Sequence, residues 1–349
     1  MEEPAVKIER YVSPQALLSE VEEKKSPSSK LRPHIFADYP GQHKASENLK
    51  IFVQAATMRG QPLDHVLLHG PPGLGKTTLA NILANELSVP FYSTSGPAIE
   101  RPGDLAGILA SLEAGALLFI DEIHRLSIQV EEVLYGAMED FSLSVIVGQG
   151  SSARTVSMEI APFTLVGATT KISNLSKPFL NRFGIQERLE YYDVPSLIII
   201  LQRAARCLGL ELEPSGAREI GQRSRGTPRI ANRLLRRAAD FAQVVSAPSI
   251  NKQIAHRALT SLEIDEYGLD RLDRAILTVI GERYGGGPVG IETLAITLGE
   301  ESATIEEVYE PFLVYQGFLS RGPRGRSLTD EGKLLLARQR GNSNDGGSA

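Results

Sequence analysis

Several things are scarce in this chain, and each absence narrows its reading. Among 349 residues there is one cysteine, Cys207. No disulfide can form within the chain, which fits a reducing compartment, and Cys207 reads as a small buried apolar residue in a helical pattern. No apolar run approaches the ~20 residues of a membrane span. Met1-Glu2-Glu3-Pro4 lacks the basic-then-apolar pattern of a secretory signal, so a cytoplasmic protein is expected. Positive charge is not in excess: the formal net charge is −5. Any nucleic-acid contact must therefore come from a local basic patch.

What is present is a soluble globular composition, 42% hydrophobic and 23% charged, in a chain too long for one ordinary core, so two or three domains are expected. The chain is organised around Gly70-Pro71-Pro72-Gly73-Leu74-Gly75-Lys76-Thr77. This is the phosphate-binding pattern G-x-x-x-x-G-K-[ST]: glycines turn backbone N–H groups inward, Lys76 reaches the β- and γ-phosphates, and the Thr77 hydroxyl can hold Mg²⁺. A β-rich run, His65–His69, precedes it, and a helical pattern, Thr78–Leu87, follows, so the anion would sit at a helix N-terminus.

A second signature is Ala116-Leu117-Leu118-Phe119-Ile120-Asp121-Glu122. A buried parallel strand must be apolar, and carboxylates at its carboxyl end face the nucleotide crevice. Asp121 would hold Mg²⁺, and Glu122 would polarise the attacking water. Phe163–Thr170 reads as another buried strand ending in hydroxyls, where Thr170 could sense the γ-phosphate. Between these two strands, 141–147 and 155–160 alternate around a glycine-rich turn, a hairpin pattern whose apolar arms suit either a partner or their own domain. Arg182, beside Phe183 and Gly184 in a loop, is placed to point at a neighbour's nucleotide.

Strands alternate with helices from Asp64 to Leu189, which predicts an α/β fold with a doubly wound, mostly parallel sheet. From Pro195 the pattern turns helical. Thr227 and Pro228 cap and start one helix, which puts Arg229 in its first turn, where a cation opposes the dipole unless it meets a phosphate. Beyond Asp265, three helices followed by a two-stranded wing give the winged helix-turn-helix pattern. The second helix of the turn, within 300–316, carries Glu301, Glu306, Glu307 and Glu310 and would repel DNA, whereas wing residues Arg321, Arg324 and Arg326 can each neutralise a phosphate. Backbone contact with little base readout is expected if the module binds DNA, and protein docking is the alternative. The domains read as 1–30, a mobile arm; 31–192, a large ATPase domain; 193–263, a small helical domain; 266–335, a winged helix; and 336–349, a disordered tail.

These stretches together resemble the RuvB family, the AAA+ motor subunits of bacterial Holliday-junction branch migration. Asp121-Glu122-Ile123-His124-Arg125-Leu126 and Gly285-Gly286-Gly287-Pro288-Val289-Gly290 carry the resemblance most specifically. It implies an ATP-driven DNA translocase acting as a homo-hexameric ring on duplex DNA, with ATP and Mg²⁺ as cofactors and a RuvA-like junction-binding partner docked on the 141–160 hairpin. Leu31 and Arg32 would flank the adenosine. Gly73, Lys76, Thr77 and Thr78 would hold the phosphates, while Glu139, Asp140, Phe141 and Tyr192 would line the nucleotide site. Thr170 and Arg229 would act as sensors, Arg182 as the arginine finger, and Arg321 and Arg326 as DNA contacts. The family usually has Arg-Ala-Gly where this chain has Lys171-Ile172-Ser173. A clamp-loader-like switch and a non-catalytic DNA-binding regulator are the rival readings. The first lacks a C-terminal winged helix, and retention of Asp121 and Glu122 argues against the second.

Overall fold

The apolar runs between Asp64 and Leu189 form a five-stranded sheet in a computed structural model that describes residues 31–147 and 154–345. The strands are β1 (Val66–His69), β2 (Phe91–Ser95), β3 (Leu117–Asp121), β6 (Thr164–Thr169) and β7 (Ile185–Arg188). They lie in the order β2-β3-β6-β1-β7, and all four pairings are parallel. Successive residues of β1, β3 and β6 are buried, so both faces of the sheet are covered. This is why the strands read as continuous apolar runs rather than alternating ones.

The helices of this first unit, which ends at Ser196, are α1 (His43–Arg59), α2 (Lys76–Leu87), α3 (Pro102–Ala110), α4 (Ile128–Glu139) and the short α5 (Lys177–Asn181). Ser127 caps α4 by accepting the Val130 N–H at 3.4 Å, and Val130, Leu134, Ala137 and Met138 carry that helix into the core with Leu118, Ile120 and Phe163. The expected hairpin is present as β4 (Ser142–Val147) and β5 (Arg154–Glu159), paired from Ser142↔Glu159 to Val147↔Arg154. Its tip and the side chains of 144–156 lie outside the described residues, and so does the expected mobile arm at 1–30.

Helix α6 (Val194–Leu208) crosses the boundary into the second unit, which runs from Leu197 and holds α7 (Pro214–Gln222), α8 (Pro228–Val244) and α9 (Lys252–Ser261). Thr227 caps α8 as expected, accepting the Ile230 N–H. The winged helix follows: α10 (Arg271–Thr278), α11 (Ile291–Leu298), α12 (Ser302–Thr304, a π-type turn Ile305–Tyr309, and Glu310–Tyr315), then β8 (Leu319–Gly322), β9 (Gly325–Leu328) and α13 (Asp330–Asp345). β8 and β9 are antiparallel. The core contains Ile276, Leu277, Leu294, Phe312, Leu313 and Phe318.

Two expectations are overturned here. The tail expected to be disordered from 336 is helical as far as Asp345, because Leu335 and Leu336 are buried in the winged-helix core and hold α13 in place. Cys207, expected to be buried, is exposed. Among the described residues no helix is long and apolar enough to cross a membrane.

Candidate functional site

Parallel strands put all their carboxyl ends at one edge of the sheet, and the phosphate loop leaves that edge from β1. The Gly70 N–H is bonded to the Thr169 carbonyl of β6 at 3.2 Å, and β6 lies between β1 and β3. The ends of β1, β6 and β3 therefore bring together the loop, Thr169-Thr170 and Asp121-Glu122. Gly73 and Gly75 have φ of +79° and +94°, which turns successive N–H groups toward one concavity. Lys76 starts α2 while its ammonium reaches back, donating to the Gly70 carbonyl at 2.8 Å and to that of Pro71 at 2.9 Å. A cation and inward N–H groups at a helix N-terminus fit a polyphosphate. Among the described residues no group of three or more His, Cys, Asp or Glu could hold a metal unaided. A Mg²⁺ held by Thr77 and Asp121 would instead take its remaining ligands from phosphate and water, the usual arrangement for this ion.

The carboxylates are turned by backbone geometry. Asp121 Oδ1 accepts the Glu122 N–H at 2.9 Å, and Glu122 stands at φ +49°, which throws its side chain out of the strand direction. Glu122 Oε2 accepts from Arg125 Nη1 at 3.3 Å. Thr170 is exposed just past β6, whereas Thr169 is buried. The Thr169 hydroxyl accepts the Lys171 N–H at 2.9 Å and lies 3.0 Å from His124 Nδ1. That link between the Asp121-Glu122 turn and the Thr170 strand went unnoticed in the sequence, although His124 stands inside the most specific motif. Tyr192 is buried, with its hydroxyl 3.0 Å from the Tyr39 hydroxyl and 3.2 Å from the Leu74 carbonyl within the loop. Burial pushes the Tyr192 phenol up to about 12, so it stays neutral against the loop. Leu31 and Arg32 are half-buried at the start of the described chain.

The opposite edge of the sheet holds a second group. The Ile185 N–H at the start of β7 is bonded to the His65 carbonyl just before β1, so Arg182 precedes the amino end of its strand. Phe141, at φ +48°, packs edge-on against His65 and Phe163, which precede β1 and β6. At about 3.3 Å per residue, the five steps from His65 to Gly70 span roughly 16 Å. Glu139, Asp140, Phe141 and Arg182 therefore stand away from this chain's own phosphate loop. The four form one constellation instead. Arg182 Nη2 donates to Glu139 Oε2 at 3.1 Å, and Nη1 donates to the Pro178 carbonyl at 3.1 Å. The guanidinium carbon lies 4.6 Å from the centroid of the Tyr135 ring, whose hydroxyl is in turn held by Glu131 and Ser176. Tyr135 carries no sequence signal, because only the packing of α4 beside α5 places it under the arginine.

In the second unit, Arg229 lies in the first turn of α8, as expected. The wing differs from its reading. Arg326 is buried, donating from Nε to Glu310 Oε2 at 2.8 Å and from Nη2 to Glu306 Oε1 at 3.3 Å. Arg321 is half exposed and paired with the same two carboxylates at 2.7 and 3.3 Å. The acidic helix expected to repel DNA is thus the counter-ion of the wing. Arg326 is not a free cation at the surface, whereas Arg324, in the tip between β8 and β9, is exposed.

Comparison with known proteins gives three consecutive family matches. These are the Holliday junction DNA helicase RuvB P-loop domain over residues 31–189, the RuvB AAA lid domain over 192–265 and the RuvB C-terminal winged helix domain over 266–337. The chain is 56% identical over 310 residues to the Holliday junction branch migration complex subunit RuvB of Parabacteroides distasonis, covering 89% of this chain and 91% of that protein. It is also similar to the structure of the Thermotoga maritima RuvB Holliday junction branch migration motor, with TM-score 0.80, 49% identity, and 88% of this chain and 98% of that one covered. A point mutant of the Thermotoga protein gives TM-score 0.81 at the same identity and coverage. The chain therefore belongs to the RuvB family, the ATP-hydrolysing motors of Holliday-junction branch migration.

Proposed function

We propose that this motor works as a homo-hexameric ring on duplex DNA, in the cytoplasm, with each ATP held between two copies. The supporting observation is the separation of Arg182 from the phosphate loop by the length of a parallel strand. A cation at the amino edge of the sheet serves no phosphate at the carboxyl edge of the same sheet, but it can serve one on a copy stacked against that edge. Glu139, Asp140 and Phe141 go with it to the neighbour's nucleotide.

Within one copy, Gly73, Lys76, Thr77 and Thr78 hold the phosphates, and Leu31, Arg32 and Tyr192 border the nucleoside. Thr77 and Asp121 would hold Mg²⁺, which would supply positive charge for the phosphoryl oxygens. Glu122 leaves Arg125 to polarise the attacking water, Thr170 orients it, and Arg229 meets the γ-phosphate side. Arg182 of the adjacent copy stabilises the developing charge. The wing, through Arg321 and Arg324, with the buried Arg326 tying it to Glu306 and Glu310 behind them, grips the duplex backbone without reading sequence, which suits a motor that must cross any sequence. The 141–160 hairpin docks on a RuvA-like junction-binding subunit.

Steady-state ATP hydrolysis with and without duplex DNA tests the shared site. Arg182→Ala should lower turnover by about 10³–10⁵, the range of an arginine finger. Mixing it with Glu122→Gln should restore part of the loss, since each variant supplies what the other lacks. Hydrolysis indifferent to Arg182 and to DNA would refute the shared-site ring.

A further inference from the structure

Arg225 has no part in the chemistry described above, yet it is the most heavily engaged arginine of the second unit. It lies in the turn between α7 and α8, two residues before the Thr227 cap, at φ +51°. Its side chain is buried and runs into the segment that opens the winged helix. Nε donates to the Gly268 carbonyl at 2.8 Å, and Nη2 donates to Asp270 Oδ2 at 2.7 Å and to Asp273 Oδ2. The guanidinium carbon also lies 5.0 Å from the centroid of the Phe312 ring in α12. Asp270 and Asp273 are themselves the capping box of α10, so the groups that start the winged helix are the groups that hold Arg225. The two chains lie in direct contact there: a Cβ on Gly268, which has φ +78°, would stand 2.9 Å from the Arg223 carbonyl oxygen. Arg223 reaches across as well, donating to the Ile264 carbonyl at 2.9 Å.

We propose that Arg225 is the positioning residue that locks the α7–α8 turn to the winged helix, so that displacement of the α8 N-terminus is delivered to the wing as a rigid movement. The contacts form a continuous path. It runs from the turn carrying Arg229, through Arg225, to Asp273 and Phe312, and along α12 to Glu310, which holds Arg326 at 2.8 Å. Stability alone is a poor reason for such a site. Asp273 is wholly buried, and its Oδ1 has no hydrogen-bond partner among the described residues. Burying a charge pair of this kind commonly stabilises less than apolar packing of the same volume. What the pair supplies is a fixed orientation: a planar fork satisfied by one carbonyl and two carboxylates admits one angle between the segments it joins.

The proposal rests on the reading that nucleotide turnover moves the helical segment and that the wing holds the duplex. Full-length Arg225→Ala and Arg225→Lys are compared with the natural chain on a four-way junction with a RuvA-like partner. Duplex affinity, DNA-stimulated ATP turnover and junction migration per ATP are measured. Affinity and turnover should stay within about twofold while migration per ATP falls about tenfold, inside the 5–150-fold range of a coupling free energy. Arg225→Lys should fall between the two, because an ammonium cannot make the fork. A proportional loss of all three activities would mean that Arg225 merely holds the fold, and unchanged migration per ATP would mean that it does nothing; either overturns the proposal. Should Arg225→Ala fail to fold, Asp270→Asn at the more exposed end of the pair is read by the same ratio. A second readout needs no motor activity: the distance distribution between a dye on the exposed Cys207 and one on Ser320→Cys should broaden in Arg225→Ala. An unbroadened distribution sinks the lock, whereas a natural chain without DNA-stimulated turnover sinks only the reading it rests on.

Discussion

The phosphate loop and the wing each carry cations proposed to meet phosphates, and they hold them in different ways. Lys76 is held by two neutral carbonyls of its own loop, at 2.8 and 2.9 Å, so backbone groups fix where its ammonium points. Arg326 and Arg321 are held by Glu306 and Glu310, at 2.7 to 3.3 Å, so most of their field is cancelled before DNA arrives. The difference suits the two tasks. A nucleotide must be bound tightly and in one orientation, which a preorganised loop provides. A track must be gripped and released at every step, and the half-exposed Arg321, by exchanging a carboxylate for a phosphate, gains little net energy and lets go easily, while the buried Arg326 stays with Glu310.

Removing the cation is the largest test of this contrast. Lys76→Met should weaken nucleotide binding about 10- to 150-fold, the worth of a hydrogen bond to a charged group, with little change in unfolding free energy. Equilibrium binding of a fluorescent nucleotide measures it. Arg326→Ala should do the reverse. It leaves the buried Glu310 with only the half-exposed Arg321 as counter-ion, so stability should fall by up to about 3–5 kcal/mol in urea unfolding, with only a secondary loss of DNA affinity. Arg324→Ala removes an exposed cation, so the slope of log affinity against log salt should drop by about 0.9, with stability unchanged. Glu306→Gln should release part of Arg321 and raise duplex affinity by roughly threefold, in line with a partly exposed ion pair; a fall in affinity would mean that Glu306 orients the wing rather than competing with DNA.

The smallest effect concerns a base held neutral. His65 Nδ1 accepts the Leu165 N–H at 2.9 Å, and Nε2 therefore donates to the Met138 carbonyl at 3.1 Å. Burial holds the imidazole below its usual pKa of 6.5, so the folded state binds fewer protons than the unfolded one. Its contribution is complete above pH 6.5 and is lost as the pH falls below it. Unfolding free energy should fall more between pH 7.5 and 5.5 in the natural chain than in His65→Gln, as urea unfolding at the two pH values would show.

The sheet and the nucleotide edge were legible because they depend on backbone chemistry that short patterns encode. Glycines at Gly73 and Gly75, an apolar strand ending in Asp121, and the Thr227-Pro228 cap each specify a local geometry whatever surrounds them. The helix α9, by contrast, passed unnoticed although Ile254, Ala255, Ala258 and Leu259 give it an apolar face, and the tail was read as polar although Leu335 and Leu336 anchor it in the core.

By itself the sequence determined the α/β class, the run of three domains, the phosphate-loop and Asp121-Glu122 motifs, and the family. Those follow from interactions between residues a few positions apart, or from motifs that close on their own backbone. Only the tertiary structure decided that Arg182, Glu139 and Phe141 share an edge remote from the phosphate loop, that the wing arginines are matched by α12 glutamates, and that Arg225 ties one helical segment to the next. Such contacts join residues far apart in the chain: Glu310 and Arg326 are 16 positions apart, and Arg225 and Asp273 are 48. A local pattern carries no information about which charge meets which, because packing alone brings those segments together and excludes the water that would otherwise have kept their charges apart.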